Sequence, residues 1–223
     1  MTKKSSLSQH DLKQAAKKIA ASAVDVHDAV RDLTLEALSH GRVDAARIKE
    51  VVTAVASGVT EGATAASSTT KATLESAWRG LDAALAKSAE AVSLSLEEAR
   101  GRLDEFAQSD VQRAATELRA LEDLFIETVS AVGKSADTVA RDVWNGLVGH
   151  AQRAGTDTGR QARASADAIQ KTIDNAARQG VRFATDVGGN VLRQLAQVAS
   201  GVLAGVAQKL DQASRPDTPA KKS

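Results

Sequence analysis

From Leu12 the apolar positions fall at Leu12, Ala16, Ile19, Ala23, Val26, Val30, Leu33 and Ala37, in strictly alternating steps of four and three. A 3-4 alternation held for more than three heptads is the narrow seam of a left-handed coiled coil, so it predicts one long helix facing a partner helix. Ser8 is placed to cap its start, and His40 with Gly41 to stop it. Asp44 then caps a second helix, whose seam reads Ile48, Val52, Val55 and Val59. Beside that seam run Ala54, Gly58, Gly62 and Ala66, a stripe of small residues that lets another backbone come close. Glycine in mid-helix costs up to about 1 kcal/mol relative to alanine, so a close partner would offset a real penalty. The stretch can also be read as the frayed end of a helix running into SSTTK.

The pattern resumes as Leu74, Trp78, Leu81, Leu85, Ala89, Val92, Leu96, Ala99, Leu103 and Phe106, with a stutter at Leu85 and Ala89 that unwinds the supercoil without ending it. This predicts a rod about 50 Å long at 1.5 Å per residue. Ser109 with Gln112 forms a capping box for the next helix. Its stripe of Val111, Ala114, Leu118, Leu121, Phe125, Val129, Val132, Ala136, Val139, Val143 and Leu147 drifts but does not break. Gly155 and Gly159 in RAGTDTGRQ mark a turn or hinge. In the last segment Val191, Leu192, Leu195, Val198, Ala199, Val202, Leu203, Val206 and Leu210 fill an arc of about 140° on a helical wheel. That arc is much wider than the first seam, and it suits burial in a bundle or insertion into an interface.

Composition sharpens this into an all-α reading. About one residue in five is alanine, the only prolines are Pro216 and Pro219, and the aromatics are Trp78, Trp144, Phe106, Phe125 and Phe183. Helix formation is unobstructed from Ser8 to Arg215, whereas the area available for a thick core is small. The expected fold is an elongated bundle or coiled coil of five or six long amphipathic helices. Its expected regions are a disordered 1–7, a helical pair over 8–66, two long helices over 67–154, a basic amphipathic segment over 155–210 and a disordered tail over 211–223.

The net charge is only +1, but residues 74–127 carry 12 acids against 6 bases, and residues 151–215 carry 9 bases against 5 acids. Salt-bridged solvent faces account for such a distribution; so do ordered self-association and attraction of the C-terminal third to an anionic surface. The N-terminal MTKKSSLSQHDLKQ lacks the apolar core of a secretory signal, and no cysteine is present. The longest uncharged run, between Arg193 and Lys209, has 15 residues, short of the roughly 20 that span a bilayer. A cytoplasmic protein, peripheral on a membrane or granule at most, is expected.

Candidate chemistry is sparse. None of His10, His27, His40 and His150 has a glutamate three residues before it, and no His-x-x-x-His pair occurs, so neither a di-iron bundle nor a helical zinc site is indicated. Glu36 and His40 share a face as an ordinary i,i+4 pair, while Glu97 and Glu98 point in different directions on a helix. TVSAVGKS, ending in Gly133, Lys134 and Ser135, would be a phosphate-binding loop if Thr128 were glycine and a strand preceded it; neither holds. The serines and threonines lack a positioned base. No catalytic, cofactor or metal residues are expected, and the protein reads as a non-enzyme. The arginines of the C-terminal third alternate with Asp157, Asp167, Asp174 and Asp186 and have no aromatic platform, which makes nucleic acid an unlikely partner.

AVRDLTLEALSHGR, LRALEDLFIETV and ASGVLAGVA resemble an uncharacterised family of Ala-rich helical bacterial proteins, over most of the chain between Val24 and Ala207. That resemblance implies helices and supplies no catalytic residues. The Ala-rich, cysteine-free amphipathic chain with a terminal PAKK also looks like phasins, which coat polyester storage granules. Two functions are therefore expected as alternatives. One is association with a lipid or polymer surface through Val191, Leu195, Val198, Val202, Leu203 and Val206. The other is a soluble, self-associating coiled-coil scaffold, with helix packing through Ala54, Gly58, Gly62 and Ala66. A homo-oligomer is expected in either case.

Overall fold

The computed structural model describes residues 8–22, 24–39, 44–65, 70–98 and 108–178, and every regular element among them is an α-helix. These are α1 (Gln9–Ser22), α2 (Val26–Ser39), α3 (Ala45–Ala65), α4 (Thr70–Glu98), α5 (Gln108–Arg119), α6 (Leu121–Ser135), α7 (Thr138–Ala154) and α8 (Asp157–Arg178). The all-α expectation stands. The count of five or six long helices is corrected to eight among the described residues, because two stripes that run on in sequence are broken in space.

The first break divides the Leu12–Ala37 seam. Ser8 caps α1 as its position predicts, its hydroxyl accepting from the Asp11 amide at 3.1 Å. The helix ends at Ser22, whose hydroxyl turns back onto the Ile19 carbonyl at 2.7 Å, and Asp25 adopts a φ of 47° before α2 begins. Aspartate is among the few non-glycine residues that tolerate this left-handed region. The seam residues remain inward on both sides of the bend, with Leu12, Ala16, Val26, Val30 and Ala37 buried. They serve different neighbours: α1 lies on α3, and α2 lies on α4. One straight helix cannot follow both receivers, so the chain changes direction between them.

The second correction concerns the stripe from Val111 to Leu147. It is cut at Ala120, and again at Ala136 and Asp137, giving α5, α6 and α7. The helix expected to start from a Ser109 cap begins at Gln108. After α6 the Ala136 amide closes on the Gly133 carbonyl at 3.1 Å, and Ala136 turns extended. Asp137 then caps α7, accepting from the Ala140 amide at 3.0 Å and from the Thr64 hydroxyl at 2.9 Å. The Ala140 bond, with the Thr64 bond behind it, holds the Asp137 carboxyl below its usual range. This turn brings α7 against α6 and α4. Val139, placed on the stripe by spacing alone, is left 61% exposed.

The core is thin in side-chain bulk and is organised around three of the five aromatics. Trp78 of α4 lies 4.7 Å from Phe125 of α6 and 6.4 Å from Trp144 of α7, measured between ring centroids. A buried indole N–H needs an acceptor. That of Trp144 donates to the Thr60 hydroxyl at 2.9 Å, which itself donates to the Ala56 carbonyl at 2.7 Å. Gly133, in the phosphate-loop-like string, sits in the last turn of α6 and leaves room for the Cβ of Trp144.

Candidate functional site

Two constellations stand out from ordinary core packing. The first is the α1–α3 contact. Ala54, Gly58 and Gly62 are buried on α3, and the two glycines face α1. A Cβ on Gly58 would lie 2.9 Å from the Cβ of Ala16 and would strike the Lys13 carbonyl oxygen; one on Gly62 would lie 2.9 Å from the Cβ of Ala20 and would strike the Lys17 carbonyl oxygen. Gly58 pairs with the earlier turn of α1 and Gly62 with the later one, so the two helices run in the same direction. At the solvent edge Glu61 meets Lys13 Nζ at 2.6 Å and Lys17 Nζ at 3.5 Å. The Lys13 hydrogen bond is the main cause that holds the Glu61 carboxyl below its usual range. The contact is therefore a backbone-to-backbone approach bordered by one exposed charge cluster. Ala66, the last member of the expected stripe, lies outside the described residues.

The second constellation is the corner between α7 and α8. Gly155 ends α7 with a φ of 76°, a conformation that glycine adopts without a Cβ penalty. The first amides of α8 are then capped by carboxylates from two other helices. Asp82, buried in the middle of α4, accepts from the Asp157 amide at 3.0 Å and the Thr158 amide at 2.7 Å. The Thr158 hydroxyl donates to the Asp82 carbonyl at 2.9 Å. Glu122, in the first turn of α6, accepts from the Thr156 amide at 2.8 Å, the Thr156 hydroxyl at 2.9 Å and Arg163 Nη1 at 2.9 Å. Burial pushes the Glu122 carboxyl upward, but the Thr156 hydrogen bonds and the Arg163 guanidinium outweigh it and hold it below its usual range. A Cβ on Gly159 would fall on the Glu122 carboxylate. The positive end of the α8 dipole is thus filled by the protein's own acids.

An open groove of roughly 340 Å3 between α3 and α6 is lined by Lys49, Thr53, Ser57, Leu124, Glu127 and Thr128, with Ala131, Val132 and Ser135 at its end. The hydroxyls of Thr128 and Ser135 donate to the Leu124 and Val132 carbonyls of their own helix, at 2.6 and 2.8 Å. Among the described residues no three His, Asp or Glu side chains gather as metal ligands. His27 is bonded to its neighbour Asp28 at 2.8 Å, and His10 and His150 are exposed. His40, Leu103, Phe106 and the side chains of Glu97 and Glu98 lie outside what is described. So do all six residues expected to bind a surface: Val191, Leu195, Val198, Val202, Leu203 and Val206. Two of the four basic residues of α8 are matched by acids, Arg163 by Glu122 and Arg160 by Asp157, while Asp167 pairs with Arg119 at 3.2 Å.

The double carboxylate cap was not legible in the sequence. Asp82 and Glu122 read there as ordinary acids of an acidic region, and the only signal toward them is the spacing of Gly155, Thr156, Thr158 and Gly159.

Fold and site together define a helical bundle, all helical among the described residues, with one polar cluster at the start of α8 and another along the edge of the α1–α3 contact. The chain belongs to a family of unknown function, DUF6781, whose model matches residues 2–212. Neither the curated proteins nor the solved structures hold a match to it.

Proposed function

We propose that this is a non-enzymatic amphipathic helical protein that associates with a lipid or polymer surface, in the manner of phasins on granules. The contacting residues in this reading are Val191, Leu195, Val198, Val202, Leu203 and Val206, and the protein is cytoplasmic and peripheral on the membrane or granule. The observation that carries the reading is the internal partner of the first seam: α1 lies on α3 and α2 on α4. A scaffold built by that seam needs it open to another chain, whereas here its apolar residues already face neighbours in the same chain. The large apolar residues exposed among the described ones are Val24, Leu94 and Val139, scattered singly as on ordinary soluble surfaces. The wide arc from Val191 to Leu210 is then the apolar face best suited to an external surface, and the net positive charge of residues 151–215 favours an anionic one. No described helix is long and apolar enough to cross a membrane, and this reading requires none.

Cosedimentation with anionic liposomes and with polyester beads tests this. Wild type should pellet with at least one of them, Leu203→Asp should stay in the supernatant, and Gln197→Asp, on the polar side of the arc, should pellet nearly as wild type does. A charge driven into an apolar phase costs several kcal/mol, on the order of what anchors such a segment. Circular dichroism must first show unchanged helicity in both variants. A wild-type protein that stays in solution with both surfaces, or a Leu203→Asp variant that binds normally, rejects the surface reading; an oligomer that binds neither returns the scaffold.

A further inference from the structure

The outer face of α7 carries charges and an apolar edge that nothing else in the described chain meets. The helix packs against α6 and α4 through Ala140, Trp144, Val148 and Ala151, and the opposite side is open. At 100° per residue, Val139, Asp142, Val143, Gly149, His150 and Arg153 all fall within about 60° of Gly146. Val139 is 61% exposed, Asp142, Gly146, His150 and Arg153 are exposed, and Val143 and Leu147 are half-buried along one edge. On the other edge Asp142 and Arg153 make no ion pair among the described residues. The Arg153 guanidinium folds back over Gly149, where its Nη1 would lie 3.4 Å from an added Cβ. Gly146 has nothing within 4 Å of that position, whereas Gly58, Gly62, Gly80, Gly133 and Gly159 each stand where a neighbour fills the space. Glycine inside a helix costs up to about 1 kcal/mol relative to alanine, and no described contact offsets it at Gly146.

We infer that this face is an interaction surface whose occupant is the same face of a second copy of the chain, antiparallel about a two-fold axis at Gly146. Such an axis sets each edge of the face against the same edge of the partner, run in reverse. The apolar edge of Val139, Val143 and Leu147 then meets itself. On the charged edge, Asp142 lies about 6 Å before the axis and the guanidinium over Gly149 about 4.5 Å after it, at 1.5 Å per residue. Asp142 therefore meets the partner's Arg153, and the symmetry makes that ion pair twice. A parallel pair would exchange the edges, setting Asp142 against Val139 and Val143 and Arg153 against His150. A lipid surface suits the face poorly, because its acid and its cation lie on one edge and its apolar strip is narrow. One face of a 17-residue helix covers less than the roughly 800 Å2 per partner of a standard interface, so the dimer is weak, with a dissociation constant on the order of 100 μM. Dilute protein is monomeric, and its unfolding reports the single chain. The inference concerns a different region from the surface reading and does not rest on it.

Charge exchange in the full chain tests this. Sedimentation equilibrium at several times that concentration should give mostly dimer for wild type and monomer for Asp142→Arg or Arg153→Asp alone. The two substitutions together should restore the dimer, because each chain then presents the same pair reversed. Both side chains are exposed, so the thermal unfolding midpoint of the dilute variants should match wild type. The absence of cysteine allows a second reading. Gly146→Cys places a thiol of each copy on the axis and should link into a dimer under mild oxidation, whereas Gln152→Cys, exposed but about 120° around the helix, should not. A wild type that stays monomeric, single charge variants that remain dimeric, a double variant that stays monomeric, or Gln152→Cys linking as readily as Gly146→Cys overturns the inference. Liposome binding is read separately: a monomer that pellets with vesicles rejects the pairing alone, and a dimer that pellets with neither vesicles nor beads rejects the surface reading alone.

Discussion

The α1–α3 contact and the α7–α8 corner hold the bundle together by opposite means. In the first, two glycines remove side chains so that backbones touch, and the only charges, around Glu61, sit at the exposed rim. In the second, Asp82 and Glu122 reach across from α4 and α6 to satisfy amides that a helix start leaves without partners. The first depends mainly on shape, with an exposed charge cluster around Glu61 at its edge; the second depends on charge and donor geometry. An Ala-rich protein with few aromatics has little area with which to fix helix positions by bulk, and these two devices, close approach and cross-helix capping, supply position without it.

The largest expected effect comes from the same substitution made in two places. Gly58→Ala gains helix propensity but forces a methyl onto the Lys13 carbonyl, so it should destabilise the protein by about 2–3 kcal/mol in urea unfolding. Gly146→Ala, on α7 with nothing near its Cβ, should stabilise by about 0.5–1 kcal/mol. Equal shifts of the same sign at both sites would mean that propensity alone governs the glycines of this chain.

Asp82→Ala comes next. It leaves the amides of Asp157 and Thr158 without their acceptor, one of them fully inside the bundle, and should cost about 2 kcal/mol. Asp82→Asn keeps an acceptor and should lose less. Hydrogen exchange should report the damage first in the opening turn of α8, with α1 and α3 unchanged; uniform loss of protection across the chain would erase the distinction between the two regions.

Acid should separate them further. The folded carboxyl of Glu122 titrates below its ordinary range, so its contribution is fully present at neutral pH and is lost as pH falls below about 4.5 toward the depressed folded value. Glu122→Gln should therefore flatten part of the acid limb of the stability profile, while above that range it lowers stability without changing its dependence on pH. An unaltered acid limb in the variant would remove the corner as an acid-sensitive element.

The smallest effect is expected at the rim of the first region. Glu61→Gln loses bonds to two lysines that are, like Glu61 itself, more than a third exposed, so it should cost well under 1 kcal/mol, and 0.5 M salt should abolish the difference. A larger, salt-resistant loss would mean that charge, not close approach, fixes α1 on α3.

The sequence by itself determined that the described chain is helical, where several helices begin, and which residues turn inward. Alanine abundance and the absence of proline before Pro216 leave no competing element, Ser8 caps as its position predicts, and the seam residues Leu12, Ala16, Val26 and Val30 are buried although their helix bends between them. Periodicity reports the side of a helix that avoids water, and it survives a bend. It does not report which neighbour lies on that side. Tertiary structure decided that α1 and α2 part at Asp25 to reach different receivers, that the stripe through Val139 turns away after Asp137, and that Asp82 and Glu122, 40 positions apart, converge on one helix start. Those choices depend on where backbones approach closely enough to touch and on where unpaired amides come to lie, and both are properties of packed helices that the spacing along any single helix does not contain.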